Sequence, residues 1–255
     1  MRLIWSISAV LSVIAVYVFW IAPARADWPL DSMNSQIEKT NLVVGGVCSG
    51  TIIDKEERVI LTAYHCITGQ LVEEEVKEID DKTGEIKIKK VQKRKPLTVT
   101  THKVVDYEIV SSAEYMVNIV GSDSNNDIAI LQVTDKDFKP EMEAPLAPDS
   151  FVVKRGIKIY AVGNPNVVWD NSITEGIVSS PQRTIEMDGK RFKFFQHSAS
   201  IIGGNSGGSI LNENGQLIGT VSAGVRGANI GFAVPISFTK DLLRKAGFGK
   251  ILESK

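Results

Sequence analysis

Apolar residues in this chain fall in short runs divided by Gly, Asn, Asp and Pro, and few of the runs carry a helical period. Leu42–Val47, Val59–Thr62, Met116–Val120, Asp127–Val133, Gly156–Val162, Phe192–Gln196, Gln216–Val221 and Asn229–Val234 each read as a β-strand. Many short strands set between turn residues predict an all-β sandwich or barrel. Ser237–Ala246 reads differently. Its apolar Phe238, Leu242 and Leu243 recur at helical spacing, and Gly247 stands where a helix stops, so a short C-terminal helix is expected.

Two stretches interrupt this pattern. Residues 135–150 are rich in Pro, Asp, Glu and Lys and read as a linker. They divide the chain into a first β unit, residues 35–134, and a second, residues 151–250, which ends in the helix. Inside the first unit, residues 71–103 form a charged insertion. Its acidic arm holds Glu73, Glu74, Glu75, Glu78, Asp80 and Asp81, and its basic arm Lys87, Lys89, Lys90, Lys93, Arg94 and Lys95. Asp81-Lys82-Thr83-Gly84 reads as the turn of a hairpin that sets one arm against the other. Cross-strand pairs of opposite charge stabilise such a hairpin by about 0.2–1 kcal/mol each. A solvated ribbon with no part in catalysis is the simpler reading; contact of the basic arm with an anionic surface is the alternative.

The N-terminus lies outside this β pattern. Leu3 to Ala22 is apolar apart from three serines, follows the positive Met1-Arg2, and precedes Ala24-Arg25-Ala26, a small-x-small site. This predicts a secretory signal, residues 1–26, cleaved after Ala26. The run is also about the ~20 residues that span a bilayer, so an uncleaved membrane tether through residues 3–22 is the alternative. Either way the rest of the chain is exported, to the periplasm or beyond. A net charge of −1 gives no reason to expect nucleic acid as a partner. The two cysteines, Cys48 and Cys66, form an even count in an exported chain and suggest a disulfide worth about 3 kcal/mol; two buried free thiols are the alternative.

Candidate chemistry lies in three segments: Leu61-Thr62-Ala63-Tyr64-His65-Cys66, Asn125-Asn126-Asp127-Ile128-Ala129-Ile130-Leu131 and Gly203-Gly204-Asn205-Ser206-Gly207-Gly208. A serine hydroxyl needs a neighbouring base to act as a nucleophile, and attack on an amide creates an oxyanion that needs donors already aimed at it. Glycines beside Ser206 free the backbone to direct the N–H groups of Gly204 and Ser206 at one point. Three histidines are available as base. His65 follows an apolar strand and precedes a cysteine, a rigid setting. His102 lies beside the charged ribbon and is expected to be exposed. His197 ends a strand, where core packing and substrate contact are both open. Asp127, at the head of an apolar strand, suits an orienting carboxylate better than Asp123, which sits in a turn-like Ser/Asn context. No H-E-x-x-H or paired metal-ligand spacing occurs, and neither a metal nor another cofactor is expected.

Together these segments resemble the trypsin-like serine proteases, and the second half resembles the HtrA family within them. The resemblance rests on Ala161-Val162-Gly163-Asn164-Pro165, Ile173-Thr174-Glu175-Gly176-Ile177-Val178-Ser179, the serine motif, and Ile230-Gly231-Phe232-Ala233-Val234-Pro235, in that order. It runs from about Leu42 to Gly247, the ribbon excepted. It implies two packed six-stranded antiparallel β-barrels with a catalytic triad in the cleft between them: His65 as base, Asp127 as orienting acid, Ser206 as nucleophile. The implied activity is endopeptidase action on polypeptides through an acyl-enzyme; a non-catalytic binding or chaperone-like protein on the same fold is the alternative. Gly203 and Ser209 depart from the proline common in relatives. The cysteine pair is more like that of animal digestive proteases, where it is bonded. The chain ends soon after its helix, so the PDZ domain that HtrA proteins append is not expected. Asn205 replaces an aspartate that pairs with a freshly cut N-terminus in many secreted relatives, so activation by that route is not expected either. The resemblance places Ser200, Ser222, Gly224 and Ala233 around the pocket for the residue before the scissile bond. With no carboxylate there, a cationic side chain would be desolvated unpaired, and small or medium apolar residues are expected.

Overall fold

The computed structural model describes residues 28–68, 71–79, 86–94, 96–187 and 189–253. The N-terminal 1–26 segment and the turn expected at 81–84 lie outside the described residues. Two six-stranded antiparallel barrels account for most of the rest. The first is built from β1 (Asn41–Val44), β2 (Cys48–Asp54) and β3 (Val59–Thr62), with β6 (Thr98–Val105), β7 (Glu108–Asp123) and β8 (Ile128–Val133), and closes in the order β1-β2-β3-β8-β7-β6. The second uses β9 (Lys158–Gly163), β10 (Ser172–Met187), β11 (Lys190–His197), β12 (Ser209–Asn212), β13 (Leu217–Gly224) and β14 (Gly231–Pro235), in the order β10-β11-β14-β13-β12-β9. Closure removes the free edges that an open sheet would leave.

Several strands read as unbroken apolar runs because both of their faces are buried. On β8, Ala129 and Leu131 point into the first barrel beside Leu42, Val44, Ile60 and Val99. Ile128 and Ile130 point the other way and join Ile53, Leu61, Leu146, Val162, Leu217 and Val234, a core that crosses between the barrels. Fully burying one such side chain is worth about 1.5–3 kcal/mol. That shared core holds the facing strand ends in register, and those ends carry the candidate chemistry. A separate core of Ile159, Val178, Phe195, Ile210 and Ala233 fills the second barrel.

Three features differ from the sequence expectations. Helix α1 (Leu30–Thr40) precedes the first barrel, so residues 35–40, expected as its start, are helical. It buries Met33, Gln36, Ile37 and Thr40, and Gln36 Nε2 donates to Gly215 O at 2.8 Å. The charged insertion is shorter than 71–103. Its two strands, β4 (Leu71–Ile79) and β5 (Ile86–Arg94), form their own sheet, whereas β6 pairs with β1 and β7 as a barrel strand. The β4–β5 register sets Glu75 opposite Lys90 and Glu78 opposite Lys87, as a hairpin of opposed arms requires. Finally, the 135–150 connection is packed rather than loose: Phe138, Ala144, Leu146 and Ala147 are buried, and Leu146 makes a parallel bridge with Leu217. A four-residue helix, α2 (His65–Thr68), follows β3, and α3 (Ile236–Lys245), near where a C-terminal helix was expected, packs against β7 and β8 of the first barrel and β13 and β14 of the second.

Candidate active site

His65 and Asp127 meet at the ends of neighbouring strands. β3 pairs with β8 from Val59↔Gln132 to Thr62↔Ala129, which brings the residues just after β3 beside those just before β8. Asp127 takes φ +52°, a left-handed conformation that Asp tolerates better than most residues. Its carboxylate accepts the His65 backbone N–H at 3.0 Å, and both its oxygens lie 3.0 Å from His65 Nδ1. The Ser222 hydroxyl, on β13 of the second barrel, also donates to it. The Asp127 side chain is 9% exposed and that of His65 47%. A buried carboxylate with three donors is held in one orientation, and it fixes the imidazole with Nε2 turned to the open side.

Ser206 reaches the same cluster from the second barrel. Its hydroxyl donates to the Ser222 main-chain oxygen at 3.3 Å. Ser222 therefore joins Ser206 to Asp127, through its carbonyl on one side and its hydroxyl on the other. Among the described residues there is no hydrogen bond between Ser206 Oγ and His65. The loop around Ser206 is tied to both barrels. Ser49 N–H donates to Ser206 O at 2.8 Å, and Ser49 Oγ donates to Gly204 O at 2.7 Å while accepting the Asn164 N–H at 2.8 Å. Gly204 has φ +97°, and a Cβ there would lie 2.4 Å from Asn164 O and 2.6 Å from Asn166 N, so only glycine fits. The N–H groups of Gly204 and Ser206 have no acceptor among the described residues, which leaves both free for an incoming oxygen.

Cys48 and Cys66 are disulfide-bonded, tying β2 to the helix that begins with His65. The two sulfurs and the His65 ring lie within 4.8 Å of one another, but a disulfide offers no thiolate for a metal ion.

A cavity of about 630 Å³ opens beside Ser206, walled by Ile201, Ile202, Val221, Ser222, Ala223 and Gly224, with Asn166, Val225 and Arg226 at its margins. Of the four residues expected around the specificity pocket, Ser222 and Gly224 line it. Ser200 and Ala233 do not. Ala233 is fully buried in the second barrel's core, paired with Phe195 and Val221; Ser200 is exposed, and its carbonyl accepts the Thr174 hydroxyl at 2.7 Å. Another cavity, of about 600 Å³, lies between the β6–β7 hairpin and residues 137–141 and contains none of these groups.

The remaining histidines separate clearly. His197 is fully buried, with neither ring nitrogen hydrogen-bonded. Its ring lies over Gly231, where an added Cβ would come within 2.2 Å of it. Burial pushes its pKa down to about 4, against an opposing contribution from the Ala199 backbone. It is a core residue. His102 is not exposed as expected: its Nε2 lies 3.5 Å from Asp170 Oδ2 and its Nδ1 2.7 Å from Ser112 Oγ, so it bridges the barrels. Sequence reasoning gave Ser49 no part in the site and met Asn164 only as one residue of a motif. Asn164 accepts from Asn41 Nδ2 at 2.7 Å and donates to Leu42 O at 2.8 Å, a buried polar bridge directly behind the Ser206 loop. Its place within Ala161-Val162-Gly163-Asn164-Pro165 was the one signal available. Ser222 was expected at the pocket and proves to hold Asp127 as well.

Comparison with known proteins places the chain among serine protease relatives. The chain is 31% identical over 161 residues to a probable periplasmic serine endoprotease, DegP-like, of Rickettsia prowazekii, covering 58% of this chain and 31% of that protein. It is 35% identical over 154 residues to the periplasmic pH-dependent serine endoprotease DegQ of Escherichia coli, covering 58% and 32%. It is 35% identical over 125 residues to the serine protease Do-like HtrB of Bacillus subtilis, covering 46% and 27%. The chain thus matches about a third or less of the length of these relatives. The trypsin-like peptidase domain matches residues 48–219, which run from β2 to the start of β13 and include His65, Asp127 and Ser206. With two closed barrels and this cluster in the cleft between them, the chain belongs to the trypsin-like peptidase domain family.

Proposed function

We propose that this chain is a serine endopeptidase acting on polypeptides outside the cytoplasm, with Ser206 as nucleophile, His65 as general base and Asp127 as orienting carboxylate. The observation that carries the reading is the shared link at Ser222: one residue of the second barrel contacts both the carboxylate that holds His65 and the hydroxyl of Ser206. In the reaction, Ser206 Oγ exchanges its long bond to Ser222 O for one to His65 Nε2. Such bonds are often loose before substrate arrives. Ser206 Oγ attacks the scissile carbonyl carbon, and its proton passes to His65 Nε2. Asp127 stabilises the resulting imidazolium through Nδ1–H. The carbonyl oxygen takes the negative charge and is met by the Gly204 and Ser206 N–H groups. His65 then protonates the leaving amine, an ester remains on Ser206, and water activated by His65 hydrolyses it.

The cavity walls favour apolar side chains before the cleaved bond, since Ile201, Ile202 and Val221 supply no charge. Export rests on the apolar N-terminal run and on periplasmic relatives; among the described residues no helix is long and apolar enough to cross a membrane. Digestion of a denatured polypeptide, with the cleaved bonds identified by mass spectrometry, tests the proposal. Cleavage after Val, Ala or Ile that is absent from Ser206→Ala is expected. Cleavage dominated by bonds after Lys or Arg would contradict the pocket assignment. A non-catalytic binding role has one feature on its side, the Ser206 hydroxyl bonded away from His65, and the same digest separates the two readings.

A further inference from the structure

The cleft beside Ser206 carries one charged side chain, Arg226, among residues that are otherwise neutral. It is exposed, sits in the turn between β13 and β14, and makes no ion pair with the described residues. That turn is fixed by Val225 N–H donating to Ile230 O at 2.9 Å and Ala228 N–H donating to Val225 O at 3.1 Å, with Gly227 at φ +79°. No carboxylate lines the cavity to neutralise the guanidinium.

The strand leading to Arg226 has a free edge. One side of β13 pairs with β14 along its length to Gly224. The other side pairs with β12 only from Leu217 to Thr220, and Val221 is then bonded to Gly207 and Gly208. Beyond Val221, β13 therefore has no partner strand on the cleft side, where Ser222 O accepts only the long bond from the Ser206 hydroxyl among the described residues. An extended peptide can add there as a further antiparallel strand. Its scissile bond would lie at Ser206, next to Ser222, and its chain would run past Ala223 and Gly224 toward Arg226. At about 3.4 Å per residue in the strand, the four steps from Ser222 to Arg226 correspond to roughly three or four residues of substrate, since Val225 and Arg226 already lie in the turn.

We propose that Arg226 is a specificity-determining residue that recognises an acidic side chain, Glu or Asp, three or four residues before the cleaved bond. The inference rests on the endopeptidase reading for the position of that bond. A guanidinium forms two parallel hydrogen bonds with a carboxylate, and the low-dielectric cleft wall strengthens the pair relative to open solvent. Because the side chain stays partly in water, the gain is about threefold to tenfold in affinity and falls as salt rises.

Binding to Ser206→Ala tests this without requiring turnover. The probes are fluorescein-labelled, C-terminally amidated peptides with Val before the scissile position and either Glu or Gln three or four residues upstream. Amidation removes the terminal carboxylate as a competing ligand. Fluorescence anisotropy is expected to give tighter binding of the Glu peptide, with the ratio shrinking at high salt and vanishing when Arg226→Gln is added. Equal affinities at low salt, or a Glu preference that survives Arg226→Gln, would overturn the assignment. Ester formation at Ser206 of the unmutated chain, read with a fluorophosphonate probe, reports separately on the endopeptidase reading. Labelling without a Glu preference sinks the subsite alone; a Glu preference without labelling sinks the catalytic reading alone.

Discussion

Acidification should destabilise this protein through His197, and the size of the effect follows from its burial. The side chain is fully buried, its ring nitrogens lack hydrogen bonds, and its pKa in the folded state is about 4 against an ordinary 6.5. Below pH 6.5 the unfolded chain takes up a proton here while the folded chain does not. Stability is therefore intact above pH 6.5 and falls as the pH drops toward 4, where the folded form also begins to protonate. The slope approaches 1.4 kcal/mol per pH unit, so the accumulated loss is roughly 3 kcal/mol. His197→Leu removes the titrating ring from a site where neither ring nitrogen is hydrogen-bonded, and a change of similar volume typically costs under about 1.5 kcal/mol. Urea unfolding of both proteins at a series of pH values between 7 and 4 gives the difference in stability directly, and groups common to the two cancel. The difference should move in the variant's favour by roughly 3 kcal/mol across that range. A difference independent of pH would refute the reasoning, because it would mean that His197 is solvated or paired in the folded protein.

Other consequences follow from single contacts. Gly204→Ala places a Cβ against Asn164 O and Asn166 N, so the loop must shift and the oxyanion donors with it; kcat should fall by about 10²–10³ with little change in KM, and an unaltered kcat would contradict the donor assignment. Ser222→Ala removes a donor to the buried Asp127 carboxylate and should lower kcat/KM about tenfold, checked against a peptide substrate; wild-type activity would mean that Asp127 needs no support from the second barrel. Replacing Cys48 and Cys66 together by Ser opens a loop with a sequence separation of 18 and should cost about 3 kcal/mol in urea unfolding; equal stability would show that the bond constrains little in the unfolded chain.

The barrels were legible because their strands are short, apolar and bounded by turn residues, and His65 and Asp127 were legible because each adjoins such a strand. Helix α1 was missed although Met33, Gln36, Ile37 and Thr40 recur at helical spacing. Two of those four are polar, and their burial depends on partners such as Gly215 that lie far along the chain. The same holds for His102, whose place is set by Asp170, and for Ser49 and Asn164, which meet only when the barrels pack. Ser200 and Ala233 were assigned to the pocket by resemblance, and a one-residue alternation along a strand is enough to turn a side chain into the core, as at Ala233. Arg226 had no sequence signal, since its significance lies in the neutral cleft around it.

The central claim is that Ser206 is a nucleophile activated by His65 and Asp127. Labelling of the folded protein with a fluorophosphonate probe, followed by peptide mass mapping, tests it most directly. Stoichiometric phosphonylation confined to Ser206, abolished by Ser206→Ala and greatly slowed by His65→Ala, is the predicted result. Absence of labelling in folded, disulfide-intact protein, or labelling at another residue, would contradict the account.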